Sequence, residues 1–397
     1  MITPLRPLLF VPRYWPGIGG SELHSRRLAQ ELALHCEVNV ARTCSTETIA
    51  TDYAFAEAKP ARQMDGRIPV STIAPPGAWQ PALRSLARLA ETSRPARFLY
   101  GRAARACAKA SLRPLTEGAD VVHGIYNGFT PGVEALRSFG KPFVWTPLAH
   151  TTKPTGTAWS SPGFKRLYRK ADALIAMTEY EREWLIAQGA QSSRVHVCPM
   201  AALFEEGVPD PAGFRTRYGI GDKPMVLFLG RTADYKGYRQ LLDAAPAIWR
   251  RHRDVHIVFA GPVTDAASEA FAACKDPRLI IAGLVSGEEK KSALAACSML
   301  CLPSTEESLG VVYLEAWSFE KPVIAADIPV MRSVIDAGAD GLLVPQEAAP
   351  IAQAILQLLD NPRRAEAMGA RGALKVDAEY NWARIAADHL KIYNAVL

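Results

Sequence analysis

Disulfide scaffolds, metal sites and membrane spans each leave a trace in a sequence, and this chain of 397 residues carries little of any. Its seven cysteines, at 36, 44, 107, 198, 274, 297 and 301, are odd in number, scattered, and nowhere spaced C-x-x-C. That argues against a disulfide framework and a zinc site, and for a reducing cytosol. There is no H-E-x-x-H, no paired His/Cys ligand set and no D-x-D. Neither a structural zinc nor a bound catalytic metal is therefore expected. No apolar run reaches the length of a membrane span. The stretch 8–11 is too short for a signal-peptide core, and Pro12 and Arg13 interrupt it, so a cytoplasmic protein is expected. Internal repeats, low-complexity tracts and heptad arrays are missing too, which excludes solenoids and coiled coils.

What is present is bulk and asymmetry. At this length two domains are the prior, and an apolar content of 49% is ample for two cores. The net charge of +6 conceals an imbalance. Residues 1–203 hold 25 Lys and Arg against 15 Asp and Glu, whereas 204–397 hold 21 against 25. Much of the basic excess lies in 84–115, where Arg84, Arg88, Arg94, Arg97, Arg102, Arg105, Lys109 and Arg113 face one acid, Glu91. Leu83, Leu86, Leu89, Phe98, Leu99, Ala103 and Cys107 add an apolar stripe at roughly helical spacing. A basic amphipathic helix of this kind can lie on an anionic membrane surface; it can equally be the solvated face of a core-packed helix. Nothing suggests nucleic acid as a partner.

Short apolar runs alternate with helical patterns along the whole chain. Strands are expected at 8–11, 38–41, 121–125, 143–147, 173–177 and 195–198, then at 225–229, 255–260, 279–282, 299–302, 323–326 and 342–344. Most are continuous rather than alternating, as in parallel strands buried on both faces. Helices fall between them, for example at 22–35, 238–252, 288–297 and 351–359, and Ser286 with Glu289 forms a capping box for the third. The pattern predicts two doubly wound α/β domains in series, joined near 199–224, which is rich in Pro and Gly. Ligands bind such sheets outside the carboxyl ends of their strands, so the expected site is a cleft between the two domains.

Three stretches carry chemistry. In "VPRYWPGIGGSELHSRR" a strand ends at Pro12, and Gly17, Gly19 and Gly20 precede a helix whose free amides suit an anion. The spacing is not G-x-G-x-x-G and no Walker lysine follows, so a purely structural turn would read the same. In "FLGRTADYKGYRQ" Arg231 and Lys236 emerge beyond a strand end, where they could hold phosphate or be solvated loop cations. In "STEESLGVVYLEAW" three acids, Glu306, Glu307 and Glu315, bracket an apolar run. Acids near a helix start suit its dipole. Glu315 lies a turn further in, and a carboxylate there must find a donor or titrate. A ribose diol is such a donor pair.

Together these motifs resemble the retaining glycosyltransferases of family 4. Pro303, Ser304, Glu307, Leu309, Gly310, Leu314, Glu315 and Ala316 match that family's two glutamates separated by seven residues. "EKPVIAADIPV", "DGLLVP", "GRTADYKG", "PGIGGSE", "DVVHG", "WTPLAHT" and "EYNWARIAADHLKIYNAVL" extend the likeness over nearly the whole chain. The resemblance implies the GT-B fold, an α/β architecture of two Rossmann-like doubly wound domains facing each other across a cleft. It implies an acceptor-binding domain at 1–203, a nucleotide-sugar-binding domain at 204–377, and a helix at 378–397 that crosses back.

The resemblance also implies roles. Gly19, Gly20 and the helix start beside them approach the donor diphosphate, and Arg231 and Lys236 neutralise it as it leaves. Glu315 binds the donor ribose, Glu307 lies by the transferred sugar, and His150 touches that sugar or stabilises charge near its anomeric carbon. Backbone amides around Leu309 and Gly310 complete the phosphate cradle. Glu306 matches no motif position. The implied activity is transfer, with retention and without a cofactor or metal, from a nucleotide-diphosphate sugar to a glycan, lipid-linked or other hydroxyl acceptor in cell-surface polysaccharide or glycolipid assembly. His123, Tyr126, Asn127 and Lys153 are acceptor-side candidates, though a histidine ending a strand is as readily structural. An anionic membrane surface is a further expected partner. Three departures stand out: Leu309 in place of the usual Phe, no glycine pair in "ADIPVMRSV", and "PMAALF" in place of an asparagine-glycine linker. A sugar phosphorylase or nucleotide-sugar epimerase on the same architecture and a noncatalytic sugar-nucleotide-binding protein are the competing readings. A pyridoxal-phosphate phosphorylase would be far longer, an epimerase would lack the glutamate pair, and a donor-hydrolysis assay separates the last.

Overall fold

The computed structural model describes residues 4–17, 19–44, 53–126, 128–151, 158–205 and 207–397. The chain divides into two compact units, one of 1–149, 154–199 and 382–397, the other of 150–153 and 200–381. The candidates Asn127 and Lys153 lie outside the described residues.

The first unit is built on an eight-stranded sheet. Its strands are β1 (Pro7–Phe10), β2 (Asn39–Arg42), β3 (Ala61–Asp65), β4 (Ile68–Thr72), β5 (Val121–Ile125), β6 (Phe143–Thr146), β7 (Ala173–Ala176) and β8 (Val195–Val197), in the order β3-β4-β2-β1-β5-β6-β7-β8. All neighbours are parallel except β3 and β4, an antiparallel hairpin turning through Gly66 at φ 61°. β1, β5, β6 and β7 are buried along their full length, as the unbroken apolar runs required. The hairpin escaped the sequence reading. Its strands carry polar residues, and its Asp65-Gly66 turn signal lacked clean apolar alternation on both sides.

Helices of this unit are α1 (Gly20–Leu32), α2 (Gln80–Ala90), α3 (Arg94–Glu117), α4 (Thr130–Leu136), α5 (Pro162–Lys170), α6 (Glu179–Ala187) and a closing helix, Trp382–Val396. The basic segment 84–115 is thus two helices. Ser93 opens the second, its hydroxyl accepting the Ala96 amide at 3.4 Å, with Pro95 in the first turn where no amide is missed. Leu83, Ala87 and Cys107 face the core, but Phe98 and Leu99, assigned above to the apolar stripe, are 66% and 54% exposed.

The second unit has six strands, all parallel: β9 (Met225–Leu229), β10 (His256–Ala260), β11 (Leu279–Gly283), β12 (Met299–Leu302), β13 (Val323–Ala326) and β14 (Gly341–Val344), ordered β11-β10-β9-β12-β13-β14. Its helices are α7 (Pro211–Arg217), α8 (Tyr238–Arg251), α9 (Asp265–Ala273), α10 (Gly287–Ala296), α11 (Val311–Trp317), α12 (Pro329–Arg332), α13 (Ala348–Leu359) and α14 (Pro362–Glu379). The Ser286–Glu289 capping box at α10 is formed in both directions. The chain runs outward from β9 through β10 to β11, then returns to place β12 on the other flank of β9. The order therefore reverses between β9 and β12, the position where a doubly wound sheet opens a crevice at its carboxyl edge.

Candidate functional site

The loops that leave β9 and β12 meet at this reversal. Beyond Leu229 the chain turns through Gly230 at φ 154° and presents Arg231 to solvent. A short 3₁₀ turn, Asp234–Lys236, ends at Gly237, whose φ is 77°. A Cβ there would stand 2.7 Å from the Pro303 carbonyl oxygen, so only glycine lets the two loops approach this closely. The Tyr235 carbonyl accepts from the Thr305 amide at 2.8 Å and from the Gln346 side-chain amide at 2.9 Å. The same Gln346 nitrogen donates to the Pro303 carbonyl at 2.7 Å. Gln346, which no motif singled out, staples the loops together.

The second loop carries the glutamates. Glu307 is buried, and its Oε1 lies 2.5 Å from Lys236 Nζ. The lysine and glutamate expected separately from sequence thus form one charge-assisted contact between the two loops. Glu306 is only half-buried, and its carbonyl accepts the Ser304 hydroxyl at 3.3 Å. Leu309 is buried, filling the apolar role expected of its position. Gly310, at φ 78°, opens α11, and a Cβ on it would strike the Tyr313 ring at 2.5 Å. The Tyr313 hydroxyl donates to the Leu302 carbonyl at 2.6 Å and locks α11 to the end of β12.

Glu315, one turn into α11, is 5% exposed. Burial pushes its carboxyl above the usual range, while the Lys290 ammonium and the Leu203 amide draw it down. Lys290 Nζ lies 2.8 Å from Glu315 Oε1, donates to the Leu203 carbonyl at 2.8 Å, and stands 5.7 Å from the centre of the Phe204 ring. Lys290 was missed because it sits in "GEEKKS", an ordinary charged helix start, and nothing in its spacing points to Glu315. Two lysines from two further elements therefore hold the two glutamates of one segment.

In the first unit, Gly19 and Gly20 stand where β1 gives way to α1. Gly19 is extended, and a Cβ on it would approach Glu22 Oε2 to 2.4 Å. Glu22 is itself buried and pairs with Arg13 at 2.7 Å. Gly20 is exposed, with open space where a Cβ would be. The loop between is braced by the unexpected hairpin: Asp65 receives Arg26 at 2.8 Å and the Tyr14 hydroxyl at 3.1 Å, and Arg42 donates to the Trp15 carbonyl.

His123 is corrected. It is wholly buried, with Nδ1 2.7 Å from the Tyr393 hydroxyl and Nε2 2.7 Å from Thr146 Oγ1, so both ring nitrogens are occupied. Strand β5 lies between β1 and β6, and His123 points at Tyr393 of the closing helix, a structural position. Tyr126 is also buried, edge-on to Trp159 and Phe164, which makes its ring a core element rather than an acceptor platform. His150 is half-buried and follows β6 after Leu148, whose φ of 47° bends the chain. The preceding Ala149 amide donates to Glu181 Oε1 at 2.7 Å, and the Met177 amide to its other oxygen at 2.7 Å.

Two family models match this chain. The one described as a glycosyl transferase 4-like domain covers residues 19–201, and the one described as glycosyl transferases group 1 covers 223–361. The chain is 33% identical over 224 residues to the alpha-D-kanosaminyltransferase of Streptomyces kanamyceticus, covering 54% of this chain and 58% of that one. It is 29% identical over 284 residues to a phosphatidyl-myo-inositol mannosyltransferase of Mycobacterium leprae, covering 70% of this chain and 74% of that protein. The chain thus spans less than two thirds of the length of the kanosaminyl relative. Among solved structures, Anabaena HepE in complex with UDP and glucose superposes with a TM-score of 0.71 at 16% identity, over 98% of this chain and 100% of that one. The architecture is the GT-B fold.

Proposed function

From a GT-B chain whose two halves match glycosyltransferase domains, we propose a retaining, metal-independent transfer of a sugar from a nucleotide-diphosphate sugar to a hydroxyl acceptor, a glycan or a lipid-linked one. The observation that carries this reading is the doubled carboxylate–lysine arrangement at the carboxyl edge of the second sheet, Glu307 with Lys236 and Glu315 with Lys290.

The chemistry follows from charge. Breaking the bond between the anomeric carbon and the phosphate oxygen leaves positive charge on the sugar and negative charge on the diphosphate. Arg231, exposed, and Lys236, held at the loop junction, supply cations for the departing phosphates, together with the amides around Leu309 and Gly310. Glu307, paired with Lys236, takes the place beside the transferred sugar in this reading. Glu315, whose charge Lys290 favours against its burial, would accept from the ribose diol. The resemblance implies attack on the face the phosphate leaves: the acceptor oxygen bonds to the anomeric carbon as its bond to the phosphate oxygen breaks, and the acceptor's proton passes to the departing phosphate oxygen. The relatives' printed names, one a kanosaminyl and one a mannosyl transferase, support sugar transfer and leave the sugar itself to experiment.

Two measurements test the reading. Thermal-shift screening of nucleotide sugars is expected to find one that raises the melting temperature. NMR of the product made with that donor is expected to show the donor's anomeric configuration preserved; an inverted centre overturns the mechanism.

A further inference from the structure

A cavity of about 810 Å³ lies in the first unit, away from the glutamate loops, between α3, α4 and the start of α5. Phe98, Arg102, Arg105 and Lys109 line it from α3 at positions i, i+4, i+7 and i+11, which places them on one helical face. Arg97 adds a cation from the first turn of the same helix, and Arg166 adds one from α5. The acid in the lining is Glu134, 3.8 Å from Arg105. Among the described residues, Arg102, Lys109 and Arg166 pair with no carboxylate. A smaller cavity shares Arg105, Glu134 and Arg166 with the first and continues the basic lining with Arg137 and Lys170. A concentration of cations in excess of its one acid, open to solvent, attracts anions.

Charge alone does not separate a soluble anion from a bilayer, but the neighbouring side chains do. Phe98, at the rim of the cavity, is 66% exposed, and Leu99 beside it is 54% exposed. Two adjacent large apolar side chains in water next to a cationic cavity gain nothing from a small hydrophilic anion. They gain when the anion arrives attached to hydrocarbon. No helix among the described residues is long and apolar enough to cross a membrane, so contact would be at the surface.

We propose that this face of the first unit docks on an anionic lipid bilayer, with the cations of α3 and α5 receiving lipid phosphates while Phe98 and Leu99 enter the boundary between headgroups and acyl chains. The surface is independent of the transfer reaction, and its test uses neither donor nor acceptor, so its failure leaves that reaction standing.

The test is vesicle flotation of the full chain. Binding is expected to vesicles of phosphatidylcholine mixed with phosphatidylglycerol, not to phosphatidylcholine alone, and to weaken as salt is raised. Arg102→Gln and Lys109→Gln are each expected to weaken partition roughly fivefold. Arg166→Gln, on a different helix, is expected to do the same and stands in should an α3 variant melt early. Phe98→Ser is expected to lose vesicle binding while its circular dichroism spectrum and melting temperature stay those of the wild type. A folded protein that does not float with anionic vesicles at low salt overturns the proposal. So does a Phe98→Ser protein that floats as the wild type does, since that result removes the apolar insertion from the contact.

Discussion

Lys236 shows what a single residue adds here. Its ammonium is committed to Glu307 at 2.5 Å, and the proposed reaction asks the same ammonium to meet a departing diphosphate. Arg231→Ala and Lys236→Ala are each expected to lower kcat by about 10²–10³ with a smaller effect on donor binding, measured by steady-state kinetics; normal kcat in both removes them from the chemistry. Lys290 is expected to behave differently, because it acts through Glu315. In Lys290→Met the buried carboxyl loses its cation and rises further above the usual range. Donor affinity is therefore expected to begin falling at a higher pH in Lys290→Met than in the wild type as pH is lowered, and Lys290→Arg should restore the wild-type profile. Calorimetry of donor binding as a function of pH decides it; a Lys290→Met profile that coincides with the wild type's makes the residue merely structural. Arg231, Lys236, Glu307 and Glu315 could be picked out in sequence because the family resemblance falls on those positions, although the residues alone left Arg231 and Lys236 open as solvated loop cations. Lys290 and Gln346 were not, because each reaches its partner from an element distant in the chain.

At the level of elements, the loops after β9 and β12 depend on glycine for contact. Gly237 combines a left-handed backbone with a carbonyl neighbour at 2.7 Å from any Cβ. Gly237→Ala is expected to cost about 1–2 kcal/mol for the backbone alone, with more from the clash. Because it separates the loops that present Lys236 and Glu307, kcat should fall along with the melting temperature. Scanning calorimetry paired with kinetics checks both; an unchanged melting temperature contradicts the geometry. The helices and buried strands were legible from periodicity and from apolar runs. The β3–β4 hairpin was not, since polar strands are specified by their partners and not by their own pattern. The basic segment 84–115 split for a local reason, the Ser93 cap and Pro95. The exposure of Phe98 and Leu99 was decided by how α3 rolls on its neighbours.

Over the whole molecule, the first unit carries a buried histidine cluster that the sequence did not announce. His24, His123 and His389 are all fully buried, the last two with ring centres 5.8 Å apart, and His24 lies against Trp382 of the closing helix. Burial holds His24 down to about 3 and His389 to about 4, and pushes His123 well below its ordinary value, with the charge of His389 adding to the first and third. Groups depressed in the fold lend stability that is present above their unfolded value of 6.5 and is lost as pH falls through the folded values. The first unit is expected to weaken from about pH 6.5 to about pH 4, by roughly 3 kcal/mol for His389 alone. Urea melts followed by circular dichroism across this window should show it, with a shallower slope in His389→Gln. Equal slopes would sink the assignment.

The sequence by itself determined the two doubly wound sheets and the strand ends from which the motifs project. Buried parallel strands must be continuously apolar, and the turns that leave them need particular residues, so both are written locally. Tertiary structure decided what those residues touch. It turned His123 inward to Tyr393 and Thr146, gave Glu315 its lysine and Glu307 another, and left Phe98 and Leu99 in water beside unpaired cations. Burial and charge pairing depend on residues far apart in the chain, and that distance is what one-dimensional spacing cannot encode.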